Sequence, residues 1–160
     1  MNRVEDGKFL ILYDGVCGLC DASVRFFIKN DTKDRLRFAP LQGDLARDIV
    51  ARQGGDPDDL ATVYLVANAG QPEERAWKRG PAALKILLIC GGFWRVLTPF
   101  SILPDSLLNA GYRIVARVRY LIAGRKELCE LPTAVNRHRF LDTPAHESDG
   151  GPPAGVEIEK

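Results

Sequence analysis

The stretch Phe9-Leu-Ile-Leu-Tyr13, followed at once by Asp14-Gly15-Val16-Cys17-Gly18-Leu19-Cys20, decides how the chain is to be read. Its first five residues are continuously apolar and bounded by Gly7 and Asp14-Gly15, the pattern of a strand covered on both faces. From Asp21 to Asn30 the period becomes helical: Cys20, Val24 and Phe27 recur at spacings of four and three, with Arg25 and Lys29 elsewhere on the wheel. The two cysteines therefore fall where a buried strand gives way to a helix.

Working outward, Asp31-Thr-Lys-Asp34 ends that helix, and Arg35-Leu-Arg-Phe-Ala39 alternates with period two. This predicts a strand with Leu36 and Phe38 on one face and Arg35 and Arg37 on the other, stopped by Pro40. Residues Gly43 to Gln53 suit a helix, Gly54 to Asp59 a loop, and Thr62 to Ala67 a β-branched and aromatic strand. Asn68-Ala-Gly70 turns the chain toward a weaker strand near Glu74 to Trp77, giving a hairpin. Pro81 suits the first turn of a helix that runs to Cys90 and is closed by Gly91-Gly92. Beyond Pro99 and Pro104, Leu107, Leu108, Ile114, Val115, Val118 and Ile122 recur at helical spacing, and Gly124 is a natural cap. The order of elements implies a parallel pair joined by a crossover, extended by antiparallel pairing. The expected fold is α/β and thioredoxin-like, a central mixed four-stranded sheet flanked by helices, with a C-terminal helical extension.

A chain of 160 residues holds one such domain, expected over residues 1–142 with the extension at about 100–142. From Thr143 onward the sequence is Pro, Gly, Ser and acidic residues with almost nothing to bury, so residues 143–160 are expected to be a disordered tail. Apolar residues make up 46% and charged residues 27%, and the formal charge is +1, so no long-range field selects nucleic acid. The opening residues lack a secretory h-region and a small-residue cleavage site, which points to the cytoplasm. Lys85, Gly91-Gly92, Arg95 and Pro99 interrupt the apolar stretch Ala82 to Leu103, so no transmembrane segment is expected. Four cysteines are too few for a disulfide scaffold in a chain of this length.

The Cys17/Cys20 spacing at a strand-to-helix junction has a physical reason to be reactive. Unpaired amides of a first helical turn and the helix dipole favour negative charge, which lowers a thiol pKa from about 8.5 toward about 7 or below. Cys17 is then the nucleophile, and Cys20, on the apolar stripe with Val24 and Phe27, is the less exposed resolving thiol. Asp14, three residues ahead of Cys17, either accepts a proton from Cys20 or caps an Asp-Gly turn. Asp21 suits the helix dipole and is read as structural.

The same spacing is also half of a zinc site, and Cys90, Cys129, His138 and His146 are the residues available to complete it. None of them shows a second paired spacing. Cys90 lies in an apolar helix and reads as a packed thiol; Cys129, in a loop ahead of Pro132, is either a packed cysteine or a third exchanging thiol. The histidines read as surface side chains. No glycine pattern of the Rossmann or P-loop type is present, so no organic cofactor is indicated.

Tyr13-Asp-Gly-Val-Cys-Gly-Leu-Cys20 resembles the opening motif of the DCC family of predicted thiol-disulfide oxidoreductases, named for an aspartate and two cysteines that fall here on Asp14, Cys17 and Cys20. The resemblance continues through Arg35 to Pro40, Gly80 to Leu87, and a later pattern of Tyr112, Arg113, Ala116, Arg119, Cys129, Pro132 and Arg139-Phe140. It implies a thioredoxin-like fold and exchange with a protein or small-molecule thiol or disulfide. Against thioredoxin itself, the insert is Gly-Leu, no aromatic residue precedes Cys17, and Ala61-Thr62 stands where a cis-proline would precede the third strand. Substrate docking by backbone pairing at that proline is therefore not carried over.

A rival reading is a binding module. Arg113, Arg117 and Arg119 would give a basic helix face for an acidic partner or a peripheral membrane contact, or they are the solvated face of a packed helix.

Overall fold

A computed structural model describes residues 4, 7–123 and 134–142, the side chains of 119–123, 134 and 135 excepted. The strands are β1 (Phe9–Tyr13), β2 (Leu36–Pro40), β3 (Tyr64–Ala67) and β4 (Arg75–Lys78), and the helices α1 (Gly18–Asn30), α2 (Asp44–Arg52), α3 (Arg79–Cys90) and α4 (Asp105–Ala123). Runs of 3-10 turns occupy Gly92–Ile102 and Ala134–Arg139. Together the strands form one sheet in the order β2-β1-β3-β4. β1 and β2 are parallel, joined by the α1 crossover, while β1/β3 and β3/β4 are antiparallel. This is the mixed four-stranded, helix-flanked α/β architecture, consistent with a thioredoxin-like fold.

The apolar run of β1 does what its composition demands. Leu10 and Leu12 point to one face, into a core with Leu41, Ile49, Val50 and Val66. Ile11 and Tyr13 point to the other, against Val24, Phe38, Leu65 and Ile86. A central strand buried on both sides has no solvated face, hence no alternation.

Several expectations are corrected in detail. α1 starts at Gly18, three residues earlier than its apolar period, because Cys17 supplies the cap. β2 includes Pro40, whose missing N–H costs nothing at a strand end. The face of β2 opposite Leu36 and Phe38 is buried too: Arg37 there is 6% exposed, donating to the Leu36 carbonyl and pairing with Asp34 at 3.0 Å. β3 begins at Tyr64 because Thr62 is held instead by Asp59, to which its hydroxyl donates at 2.8 Å. α3 begins at Arg79, with Pro81 in its first turn, and Gly91 and Gly92, at φ of 73° and 58°, end it. Among the described residues no helix is long and apolar enough to cross a membrane. Gly124, Cys129, Pro132, His146 and the 143–160 tail lie outside the described residues.

α4 lies over α3, and one glycine sets how closely. A Cβ at Gly80 would overlap the Leu108 backbone, while the Gly80 N–H donates to Asn109 Oδ1 at 3.1 Å. Further along α4, the Tyr112 hydroxyl accepts from the Val63 N–H at 3.0 Å and donates to the Ala61 carbonyl at 3.0 Å. α4 is thereby tied to the chain entering β3.

Candidate functional site

Cys17 is the N-cap of α1, with extended φ and ψ of −93° and 117°. Its carbonyl accepts the first helical bond, from the Asp21 N–H at 3.0 Å, and its Sγ accepts from the Cys20 N–H at 3.4 Å. The sulfur thus occupies the place that a serine or aspartate oxygen takes in an ordinary cap. Cys17 and Cys20 are both thiols, not joined to each other.

Asp14 leads out of β1 and is 2% exposed. Its Oδ1 accepts from the Val16 N–H at 3.1 Å and from Gln42 Nε2 at 2.9 Å, while Gln42 Oε1 accepts from the Gly15 N–H at 3.1 Å. The Asp14 carboxylate thus shapes the Asp-Gly turn that leads to the cysteines. Asp21 is also buried and pairs with Arg25 at 3.2 Å one turn on, as a structural first-turn carboxylate should.

The burial order of the cysteines is the reverse of that expected. Cys17 is 1% exposed, whereas Cys20 is only partly buried. At the cap position the Cys17 N–H donates to the Asp14 carbonyl at 3.3 Å. Position 20, on the apolar stripe of α1, packs against the core but also borders a gap in the packing. That gap is a cavity of about 440 Å³ walled by α1, α3, α4 and the chain entering β3. Its lining is almost wholly apolar, with Val24, Phe27, Ile86, Leu108 and Val115 among the walls together with Cys20 and Asp14. Leu107 and Val115 on α4, which also line this gap, are 55% and 51% exposed.

The other sequence candidates are not brought here. Cys90 is buried at the end of α3, and burial, then the nearby Asp31 charge, push its thiol up to about 11. His138 is exposed and pairs with Asp34 at 3.4 Å. Arg113 and Arg117 are exposed on α4, and the side chain of Arg119 lies outside the described residues, as do Cys129 and His146. Among the described residues there is no group of three or more His, Cys, Asp or Glu side chains that could hold a metal ion. Gln42 and Tyr112 are the residues that sequence reasoning missed as shapers of the site. Only the sequence Pro40-Leu-Gln42 at the end of a strand parallel to β1 hinted at the first.

The family model described as DCC1-like thiol-disulfide oxidoreductase matches residues 11–125. An uncharacterized Bacillus subtilis protein, YuxK, is 30% identical over 132 residues, covering 82% of this chain and 93% of that protein. A DCC family protein of Arabidopsis thaliana, described as chloroplastic, is 34% identical over 128 residues, covering 79% of this chain and 72% of that protein. No solved structure matches the chain.

Proposed function

Because the chain belongs to the DCC1-like thiol-disulfide oxidoreductase family, we propose that it is an enzyme whose Cys17 and Cys20 cycle between dithiol and disulfide. The single observation that carries this is the Cys20 N–H directed at Cys17 Sγ, at 3.4 Å, on the N-terminus of α1. An N–H and the positive end of a helix stabilise charge that develops on that sulfur as an S–S bond is made or broken. Cys17 and Cys20 are the two sulfurs of this couple; the expectation that Cys17 attacks and Cys20 resolves rests on Cys20 being the less exposed, and the observed burial order removes that ground. Asp14, already turned toward this loop and lining the cavity with Cys20, accepts the proton that Cys20 gives up. No step calls on a metal or organic cofactor, and the cytoplasm is where we place the reaction.

A redox titration in glutathione buffers, with alkylation and mass spectrometry, tests the reading. A Cys17–Cys20 disulfide should form and vanish as one two-electron couple. If no poise produces it, the enzyme reading fails; stoichiometric zinc in the reduced protein, lost on Cys17→Ser, would replace it with a metal site.

A second reading has its own observation. No residue of the Gly92–Ile102 turns is buried, Phe93 and Ile102 are 79% and 87% exposed, and α4 exposes Ile114 and Val115 beside Arg113 and Arg117. Apolar side chains interspersed with arginine suit the surface of an anionic bilayer. Flotation with anionic vesicles should then persist when both motif cysteines are serine.

A further inference from the structure

We infer that the exchange partner is a small apolar thiol or disulfide that lodges in the cavity beside α4 and meets Cys20, not Cys17, as the first protein sulfur. This rests on the dithiol reading above and adds to it a substrate class and an order of events.

Three observations converge. The cavity of about 440 Å³ has the size of a small-molecule site, and its walls are aliphatic and aromatic, with Leu19, Val24, Phe27, Ile86 and Leu108 among them. The cysteine in its lining is Cys20, whereas Cys17 is 1% exposed and is not part of it. The third concerns what an extended peptide would need. A peptide pairing with the chain entering β3, which lines the cavity together with Cys20, would find the Val63 N–H and the Ala61 carbonyl already held by Tyr112. Backbone recognition is closed there, and apolar burial is what remains to select a ligand.

The chemistry balances without another reagent. Cys20 gives its proton to Asp14 and its thiolate attacks one sulfur of R–S–S–R; that bond breaks, a Cys20–S–R bond forms, and RS⁻ leaves to be protonated. Cys17, its proton passing to the first RS⁻, then attacks Cys20 Sγ; the Cys20–S–R bond breaks, the Cys17–Cys20 bond forms, and the second RS⁻ departs with the proton held by Asp14. The protein dithiol has lost two electrons and two protons, and the disulfide has become two thiols. In reverse, a bound thiolate attacks Cys20 and the leaving sulfur is Cys17, directly opposite the N–H that stabilises it.

The test is single-turnover oxidation of the reduced full chain by symmetrical dialkyl disulfides from methyl to hexyl, with oxidised glutathione as the polar comparison. Each methylene that enters the cavity should raise the rate about fourfold until the space is filled. Cys17→Ser should accumulate a mixed disulfide on Cys20 with the hexyl compound, and Cys20→Ser should accumulate none. Ala83→Phe, projecting into the cavity, should collapse the hexyl-to-methyl rate ratio, and Ala116→Leu does the same more gently should the first variant not fold. A flat chain-length series, or a mixed disulfide trapped on Cys17 in Cys20→Ser, overturns the inference. If glutathione titrates the pair while chain length has no effect, only this inference falls. If no disulfide ever joins Cys17 to Cys20, the dithiol reading falls with it.

Discussion

Gln42 Nε2 donates to Asp14 Oδ1 at 2.9 Å, and Gln42 Oε1 accepts from the Gly15 N–H at 3.1 Å, so one amide clasps both residues of the turn that leads to the cysteines. Gln42→Ala removes both bonds and should lower stability by about 1–2 kcal/mol, read from the urea midpoint at unchanged m-value. Asp14→Asn retains an acceptor for the Val16 N–H, so its midpoint should move less. Its exchange rate should nevertheless fall by about a hundredfold if the carboxylate takes the Cys20 proton. Equal losses of rate in the two variants would make Asp14 a turn former alone.

Gly80 lies so near α4 that any side chain there meets the Leu108 backbone. Gly80→Val should cost about 1–3 kcal/mol in thermal or urea unfolding, as overpacking does. An unchanged midpoint would show that α4 is free to move away from α3.

Asp31 is buried and accepts from the Leu36 N–H at 2.8 Å and from Arg139 Nη1 at 3.1 Å. Arg139→Ala strands that carboxylate and should cost about 3 kcal/mol. The exposed pair Arg47 and Asp58, at 3.2 Å, is the control: Arg47→Ala should cost less than about 1 kcal/mol.

Acid should loosen the same region. The hydrogen bond from Arg37, reinforced by the charges of Arg37 and Arg139 against the cost of burial, holds the Asp34 carboxyl well below its ordinary value of 3.8. A carboxyl lowered on folding contributes stability that is fully present above its unfolded value and is lost as pH falls toward the folded one. Stability should therefore decline from about pH 4 downward. Asp34→Asn should flatten that decline in urea titrations taken at successive pH values, and an unaltered slope would assign it to other carboxylates.

Thiol accessibility should rank as the burial does. At pH 8, iodoacetamide should modify Cys20 first and Cys17 more slowly, and should leave Cys90 untouched until the protein unfolds, since burial raises that thiol to about 11. Peptide mapping by mass spectrometry reads the order. Modification of Cys17 ahead of Cys20 would count against the cavity-facing role of Cys20.

Much of this was legible in the sequence for a physical reason: β1, α1 and the cap between them are local. Five successive apolar residues, a glycine turn and a change of period suffice to place Cys17 and Cys20 at the head of a helix. Exposure was not legible. Cys20 lies on an apolar stripe, but whether a stripe meets packed core or a cavity depends on α4, whose approach is set by Gly80 and Leu108. The alternation of β2 places Arg37 only on the face opposite Leu36 and Phe38; its burial and its pairing with Asp34, which sits at φ 51°, depend on the turn conformation ahead of β2. Gln42 and Tyr112 act on residues 28 and 49 positions away, and neither residue type announces that reach.

The segment after the 3-10 turns at Ala134–Arg139 forms a single bridge with β2, Phe140 beside Phe38, and the Leu141 N–H donates to the Phe38 carbonyl at 2.8 Å. Asp142 then reaches the head of α2, where its Oδ2 accepts from the Leu45 N–H at 2.6 Å. A few residues of backbone thus shield the outer margin of β2, a strand that would otherwise offer an unpaired, apolar template to a neighbouring molecule. A chain cut short ahead of residue 134 should keep its cysteines and lose its solubility, self-associating through the uncovered β2 margin.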